Sequence, residues 1–123
     1  MSQITITTED TQSTIAGRTV KIVHFTGQLD ESNVDDRAKE IYAMITAVNG
    51  PLFLIFDFAG LEYMNSKSIG YLTDWYTKLS EKQGNIVIAQ ARPNILDILN
   101  VVGITQLIKS VASVEEAKVE TNK

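Results

Sequence analysis

From Pro51 to Lys82 the chain reads PLFLIFDFAGLEYMNSKSIGYLTDWYTKLSEK, and the order of residues in that stretch leaves few folds open. It opens with an apolar run, Leu52 to Phe56, that stops at Asp57. The run is too short for a core helix and is bounded by Gly-Pro and Asp, so it is expected as a buried strand. A short loop from Phe58 to Met64 is expected next, delivering Asn65, Ser66, Lys67 and Ser68 to the start of an amphipathic segment. There Ile69, Leu72, Tyr76 and Leu79 recur at spacings of three and four, the period of one helix face. Ser66 then falls in the first turn of a helix, where unpaired backbone N–H groups and the positive end of the dipole favour negative charge. A phosphate on Ser66 is compatible with such a helix. So is the plainer role of a helix cap, taken by Ser66 alone or behind Asn65.

The flanking segments extend the same alternation. Gln3 to Thr8 and Arg18 to Thr26 alternate apolar and polar residues and are expected as strands joined by a turn, the second ended by Gly27-Gln28-Leu29-Asp30. Ser32 with Asp35 reads as a capping box for a helix that presents Val34, Ala38, Ile41, Ile45 and Val48 and ends at Asn49-Gly50-Pro51. Beyond the Gln83-Gly84 break, Asn85 to Ala91 is expected as a buried strand. Asn94 is expected to cap a helix through Ile95, Leu99 and Val102 that Gly103 closes, and Ile104 to Lys109 to hold a last short strand. Ser113 with Glu116 gives a second capping box before a short C-terminal helix. Strands alternating with helices from Ser32 onward imply right-handed crossovers, so the expectation is an α/β domain. Its sheet is mixed and mainly parallel, with an N-terminal antiparallel edge and about four flanking helices.

Charge and composition remove several function classes. The net charge of -4 and a pI near 4.9 argue against a nucleic-acid binder. There is no cysteine for a disulfide, a thiolate metal site or a nucleophile. The N-terminal MSQITITTEDTQST lacks the basic and apolar regions of a signal peptide, and no apolar run reaches a membrane span, so a small cytoplasmic protein of one domain, residues 1–123, is expected. His24, Asp57 and Ser66 supply the letters of a hydrolase triad, yet Ser66 has no Gly-x-Ser-x-Gly elbow and a single strand histidine is expected to be structural. The phosphate-binding glycine motifs of nucleotide sites are missing. Asp35, Asp36 and Glu40 crowd one helix but are expected as solvated carboxylates, so no metal and no cofactor are assigned. Tyr71 and Trp75 lie four apart and off the apolar stripe, which suggests an exposed aromatic pair or packing against a neighbouring helix.

Tyr63-Met64-Asn65-Ser66-x-x-Ile69-Gly70, preceded by a strand ending in Asp57, resembles the signature segment of STAS domains, the anti-sigma factor antagonists. Gly27-x-Leu29-Asp30 and the Pro93 to Gly103 helix resemble two further segments of that family, so the likeness spans nearly the whole chain. Asn65 stands where the family usually has Asp, Lys67 where it has Ser or Thr, and Ser68 where it has Gly. The resemblance implies that Ser66 is the phosphoacceptor and that Asp30, Asn65, Ser66, Lys67 and Ser68 face the partner. For Asp30, a turn role at the end of a strand stands as the equal alternative.

What the resemblance implies for function is a partner-switching circuit. The unphosphorylated protein would bind an anti-sigma factor that is itself a Ser/Thr protein kinase; phosphorylation of Ser66 with the kinase's ATP would release it, and a phosphatase would reset it. The chain itself is then a substrate and ligand, not an enzyme. The alternative is a STAS scaffold or interaction module of a signalling assembly whose surface is not switched, with weak homodimerisation left open.

Overall fold

The computed structural model describes residues 3–123. Within them the order is β1 (Ile4–Thr11), β2 (Thr19–Leu29), α1 (Val34–Ala47), β3 (Leu52–Met64), α2 (Ser66–Glu81), β4 (Asn85–Ala89), α3 (Pro93–Val101), a 3-10 turn (Ile104–Gln106), β5 (Lys109–Val111) and α4 (Val114–Thr121). The five strands form one sheet in the order β1-β2-β3-β4-β5. β1 pairs antiparallel with β2 and the remaining pairs are parallel. The mixed, mainly parallel sheet with an antiparallel N-terminal edge is thus observed as expected.

Alternation along β2 and β3 divides the core between the two faces of the sheet. Val23, Phe25, Leu54 and Phe56 pack with Ala38 and Ile41 of α1, Leu72 and Leu79 of α2, and Ile95 and Leu99 of α3. Val20, Ile22, Ile55, Val87 and Ala89 pack with Ala117 of α4. Cover on both faces explains why Leu52 to Phe56 is continuously apolar rather than alternating. At roughly 1.5–3 kcal/mol for each fully buried large aliphatic or aromatic side chain, this layered packing is the main source of stability.

Several local expectations are corrected. The segment Phe58 to Met64 is not a loop: β3 runs on to Met64, with Phe58, Leu61 and Met64 buried. It can do so because β2 also runs on, and Gly27, Gln28 and Leu29 pair with Leu61, Tyr63 and Met64 across two register shifts. Gly27 makes this possible: its φ is +116°, and a Cβ there would lie 2.2 Å from the Gln3 carbonyl oxygen. Ser32 does not cap α1. Its amide and hydroxyl both donate to Asp30 Oδ1, at 2.9 and 2.6 Å, and Asn33 occupies the N-cap position without a side-chain cap bond. The α1 C-terminus carries no cation of its own, and Lys82, the C-cap residue after α2, donates to the Ile45 and Val48 carbonyls instead.

Asn94 likewise does not cap α3: Pro93 takes the first helical position behind Arg92, and Asn94 Nδ2 donates to the Glu62 carbonyl at 3.1 Å. Ile104 to Lys109 is mostly a 3-10 turn that follows Gly103, and the strand begins only at Lys109. At α4, Ser113 Oγ accepts from the Glu116 amide, but the Glu116 carboxylate accepts from Ala112 rather than closing the box. Trp75 is 3% exposed, packed edge-on to Phe56 and stacked on Tyr71, so the exposed pair gives way to packing against α1 and the sheet.

Candidate functional site

The sheet positions the site by pairing the ends of two strands. Leu29 at the end of β2 lies opposite Met64 at the end of β3. The residues that follow each, Asp30 and Asn65, therefore begin neighbouring turns, one leading into α1 and the other into α2. A node of hydrogen bonds joins these turns. The Asn65 amide donates to the Leu29 carbonyl at 3.1 Å, and Ser68 Oγ lies 3.2 Å from the same carbonyl.

Asn65 is the N-cap of α2, its Oδ1 accepting from the Ser68 amide at 2.9 Å, while Ser68 Oγ accepts from the Asn65 amide at 3.2 Å. Ser68 is fully buried. The expectation that Ser68 contributes to a partner-facing surface is therefore corrected: its hydroxyl points into the fold, where the capping box and the Leu29 carbonyl satisfy it. Ser66 sits in the opposite situation. It is the first helical residue, is exposed, and among the described residues its side chain makes no hydrogen bond. Asn65 supplies the cap, leaving the Ser66 hydroxyl open to solvent.

Lys67 is exposed too, but its ammonium lies 2.9 Å from Asp35 in the first turn of α1. Tyr71 donates to the same carboxylate at 2.6 Å. The Tyr71 hydroxyl first, and then Lys67, holds the Asp35 carboxyl below its ordinary value. The hydrogen bond to Asp35 in turn raises Lys67 and Tyr71. Further along the helix pair, Tyr42 donates to Asp74, and burial followed by that bond pushes the Tyr42 hydroxyl upward.

Beside the Asp30 and Asn65 turns lies an open hollow of about 970 Å³ lined in part by Asp30, Glu31, Ser32, Glu62, Tyr63 and Asn65. Its rim carries three carboxylates and the half-exposed Tyr63 ring. Glu62 and Tyr63 were not legible as rim residues because Phe58 to Met64 reads as an unattached loop. Only the extension of β3 places them beside Asp30.

Asp57 and His24 meet elsewhere. His24 and Asp57 are register partners on β2 and β3, with Nδ1 donating to Asp57 Oδ2 at 2.7 Å. Asp57 Oδ1 accepts from the Ala59 amide and from Gln90, and Glu9 of β1 lies 3.5 Å from the other side of the imidazole. This is a cross-strand tie on the sheet surface. Ser66, with no hydrogen bond to either residue, is not joined to it. Among the described residues no group of three or more His, Asp or Glu side chains is arranged to hold a metal ion, and no helix is long and apolar enough to cross a membrane.

Antiparallel hairpin, three parallel crossovers and a polar turn opening α2 together define the STAS type of α/β domain. The family model for the STAS domain matches residues 10–117, and the chain belongs to that family. A comparison with curated proteins gives no match. Among solved structures, an anti-sigma factor antagonist from Mycobacterium paratuberculosis is similar at a TM-score of 0.77 and 20% identity, with 97% of this chain and 96% of that one covered. An anti-sigma-factor antagonist (STAS) domain protein from Planctomyces limnophilus is similar at 0.75 and 20% identity, covering 85% and 92%. The Bacillus cell fate determinant SpoIIAA in its phosphorylated form is similar at 0.61 and 20% identity, covering 98% of each chain. At such identities the likeness shows a shared fold.

Proposed function

We propose that this domain is an anti-sigma factor antagonist in a partner-switching circuit, with Ser66 as the switched residue. The observation that carries the reading is the contrast between two serines in one helical turn: Ser66 is exposed and, among the described residues, its side chain makes no hydrogen bond, whereas Ser68 is buried and engaged. The partner is an anti-sigma factor that is also a Ser/Thr protein kinase and holds the ATP. In the transfer, a bond forms between Ser66 Oγ and the γ-phosphorus as the bond to the ADP oxygen breaks, and a kinase base takes the hydroxyl proton. A phosphatase restores the hydroxyl by hydrolysis. The likeness to a structure named as an anti-sigma factor antagonist, and to SpoIIAA, which is named as an anti-sigma factor antagonist in its unphosphorylated form and is also solved in a phosphorylated form, supports the reading.

Asp30, Asn65, Ser66 and Lys67 form the partner-facing surface, with the acidic rim of Glu31 and Glu62 beside them. A phosphoserine adds roughly -1.5 to -2 charge. Its burial in a contact without a matching cation costs several kcal/mol, and about 1.4 kcal/mol is a tenfold loss of affinity. The three rim carboxylates add repulsion to that cost. Release on phosphorylation follows from charge alone, without a change of fold.

The test uses two forms of the purified protein as baits in lysate of its own cells: unphosphorylated, and carrying phosphoserine at position 66. The reading expects a kinase retained by the first bait only, released from it by ATP as Ser66 becomes phosphorylated. Equal retention of the same proteins by both baits, unaffected by ATP, would instead identify an unswitched scaffold.

A further inference from the structure

Lys67 immediately follows the proposed acceptor, yet its charge is directed away toward α1. Its ammonium reaches both carboxylate oxygens of Asp35, at 2.9 and 3.0 Å. Asp35 has a second donor in the Tyr71 hydroxyl, whereas Lys67 has its hydrogen bond and ion pair with Asp35. Both side chains are more than half exposed, so the pair is weak and readily exchanged. Glu31 lies close enough to act on Lys67, and Lys39 on Asp35. A phosphate brings nearly two negative charges and three strong acceptor oxygens, a better partner for an ammonium than a carboxylate already served by a tyrosine.

We propose that Lys67 is the phosphate-reading residue of this domain: when Ser66 is phosphorylated, the Lys67 ammonium leaves Asp35 for the phosphate. The inference rests on Ser66 being the modified residue. Asp35 keeps Tyr71 but loses its cation. Phosphorylation then changes the surface in two places, adding charge at Ser66 and uncovering a carboxylate at the start of α1 beside Asp36. The Asp35–Lys67 contact that ties the first turns of α1 and α2 in the unmodified protein is lost in the modified one. Lys67 also partly screens the phosphate, which sets how strongly the modified protein repels an acidic partner surface.

The experiment installs phosphoserine at position 66 during translation, so that it needs no kinase and is independent of whether cells phosphorylate this site. The phosphate is titrated by phosphorus NMR in the wild type, Lys67→Gln, Lys67→Arg, Asp35→Asn and the Lys67→Gln/Asp35→Asn double variant. A neighbouring cation favours the dianion and lowers the second phosphate pKa. Relative to the wild type, Lys67→Gln is expected to raise it by about 0.15–0.7 unit, the range of an exposed ion pair, and Lys67→Arg to restore it. Asp35→Asn frees Lys67 and lowers it further, and this effect is expected to shrink when Lys67 is already Gln. Identical midpoints in the wild type and Lys67→Gln would overturn the proposal. So would an Asp35→Asn effect of the same size in both backgrounds, which would mean simple repulsion without exchange. Absence of phosphate on Ser66 in cells would instead remove the biological setting and leave the titration result standing.

Discussion

Replacing Ser66 and Ser68 in turn gives the sharpest structural test of the site, because the two lie in one helical turn and differ in almost everything else. Ser68 is fully buried, and its hydroxyl lies 2.5 Å from Asn65 Oδ1, 3.2 Å from the Leu29 carbonyl and 3.2 Å from the Asn65 amide. In Ser68→Ala the Asn65 amide still donates to Leu29, and Asn65 Oδ1 still accepts from the residue 68 amide, so neither group is orphaned. The loss is one net hydrogen bond, about 0.5–1.5 kcal/mol, offset by the roughly 0.5 kcal/mol that alanine gains over serine in a helix. Ser68→Ala is therefore expected to destabilise by no more than about 1 kcal/mol.

Aspartate separates the two positions further. Ser68→Asp buries a carboxylate with no cation beside it and is expected to cost several kcal/mol. Ser66→Asp places the same charge on the exposed first residue of α2, where the helix end favours it by about 0.3–1 kcal/mol, less whatever the nearby acidic rim removes. Ser66→Ala is expected to stay within about 0.5 kcal/mol of the wild type. Urea denaturation followed by far-ultraviolet circular dichroism measures all four. Equal stability of Ser66→Asp and Ser68→Asp would refute the burial argument and reopen Ser68 as an accessible hydroxyl.

Two glycines are expected to respond with opposite signs in the same assay. A Cβ on Gly84 would lie 1.9 Å from the Leu52 carbonyl oxygen, so Gly84→Ala should cost at least about 1–3 kcal/mol, whereas Gly70 has nothing within 4 Å and Gly70→Ala within α2 should stabilise by about 0.5–1 kcal/mol. Trp75→Ala removes a side chain 3% exposed and is expected to lower stability by about 3–5 kcal/mol, read as a shift in the urea midpoint at unchanged slope. For Asp35 the folded carboxyl titrates below the ordinary value of 3.8, so its contribution is present at neutral pH and is lost as pH falls through that lowered value. Acid titration of Asp35→Asn against the wild type should show the two curves converging only there, and a difference that grows toward low pH would contradict the sign.

The fold was legible from the periodicity of Leu52 to Phe56 and of Ile69 to Leu79, because burial on one or both faces leaves its mark on consecutive residues. The turn that opens α2 was legible as a polar cluster at a helix start. The boundaries were less so, and for identifiable reasons. Nothing local distinguishes Phe58 to Met64 from a loop; its strand character comes from β2, which runs beside it past two register shifts. Ser32, Asn33 and Asn94 are all competent caps, and each is drawn off by a backbone or side-chain group remote in sequence or set by the turn. The contacts of Lys67 with Asp35 and of Lys82 with the end of α1 join separate helices, so no spacing rule could announce them. Trp75 looked peripheral because the sequence stripe runs through Ile69 and Tyr76, which are only partly buried, whereas the buried face of α2 is Ser68, Leu72, Trp75 and Leu79.

The central claim is that Ser66 is the residue the cell modifies. Intact-mass and fragment mass spectrometry of the protein isolated from its own cells, beside a Ser66→Ala variant, tests it most directly. The account predicts one phosphate, located on Ser66 and missing from the variant. A phosphate on another residue, or none under any growth condition, would contradict it.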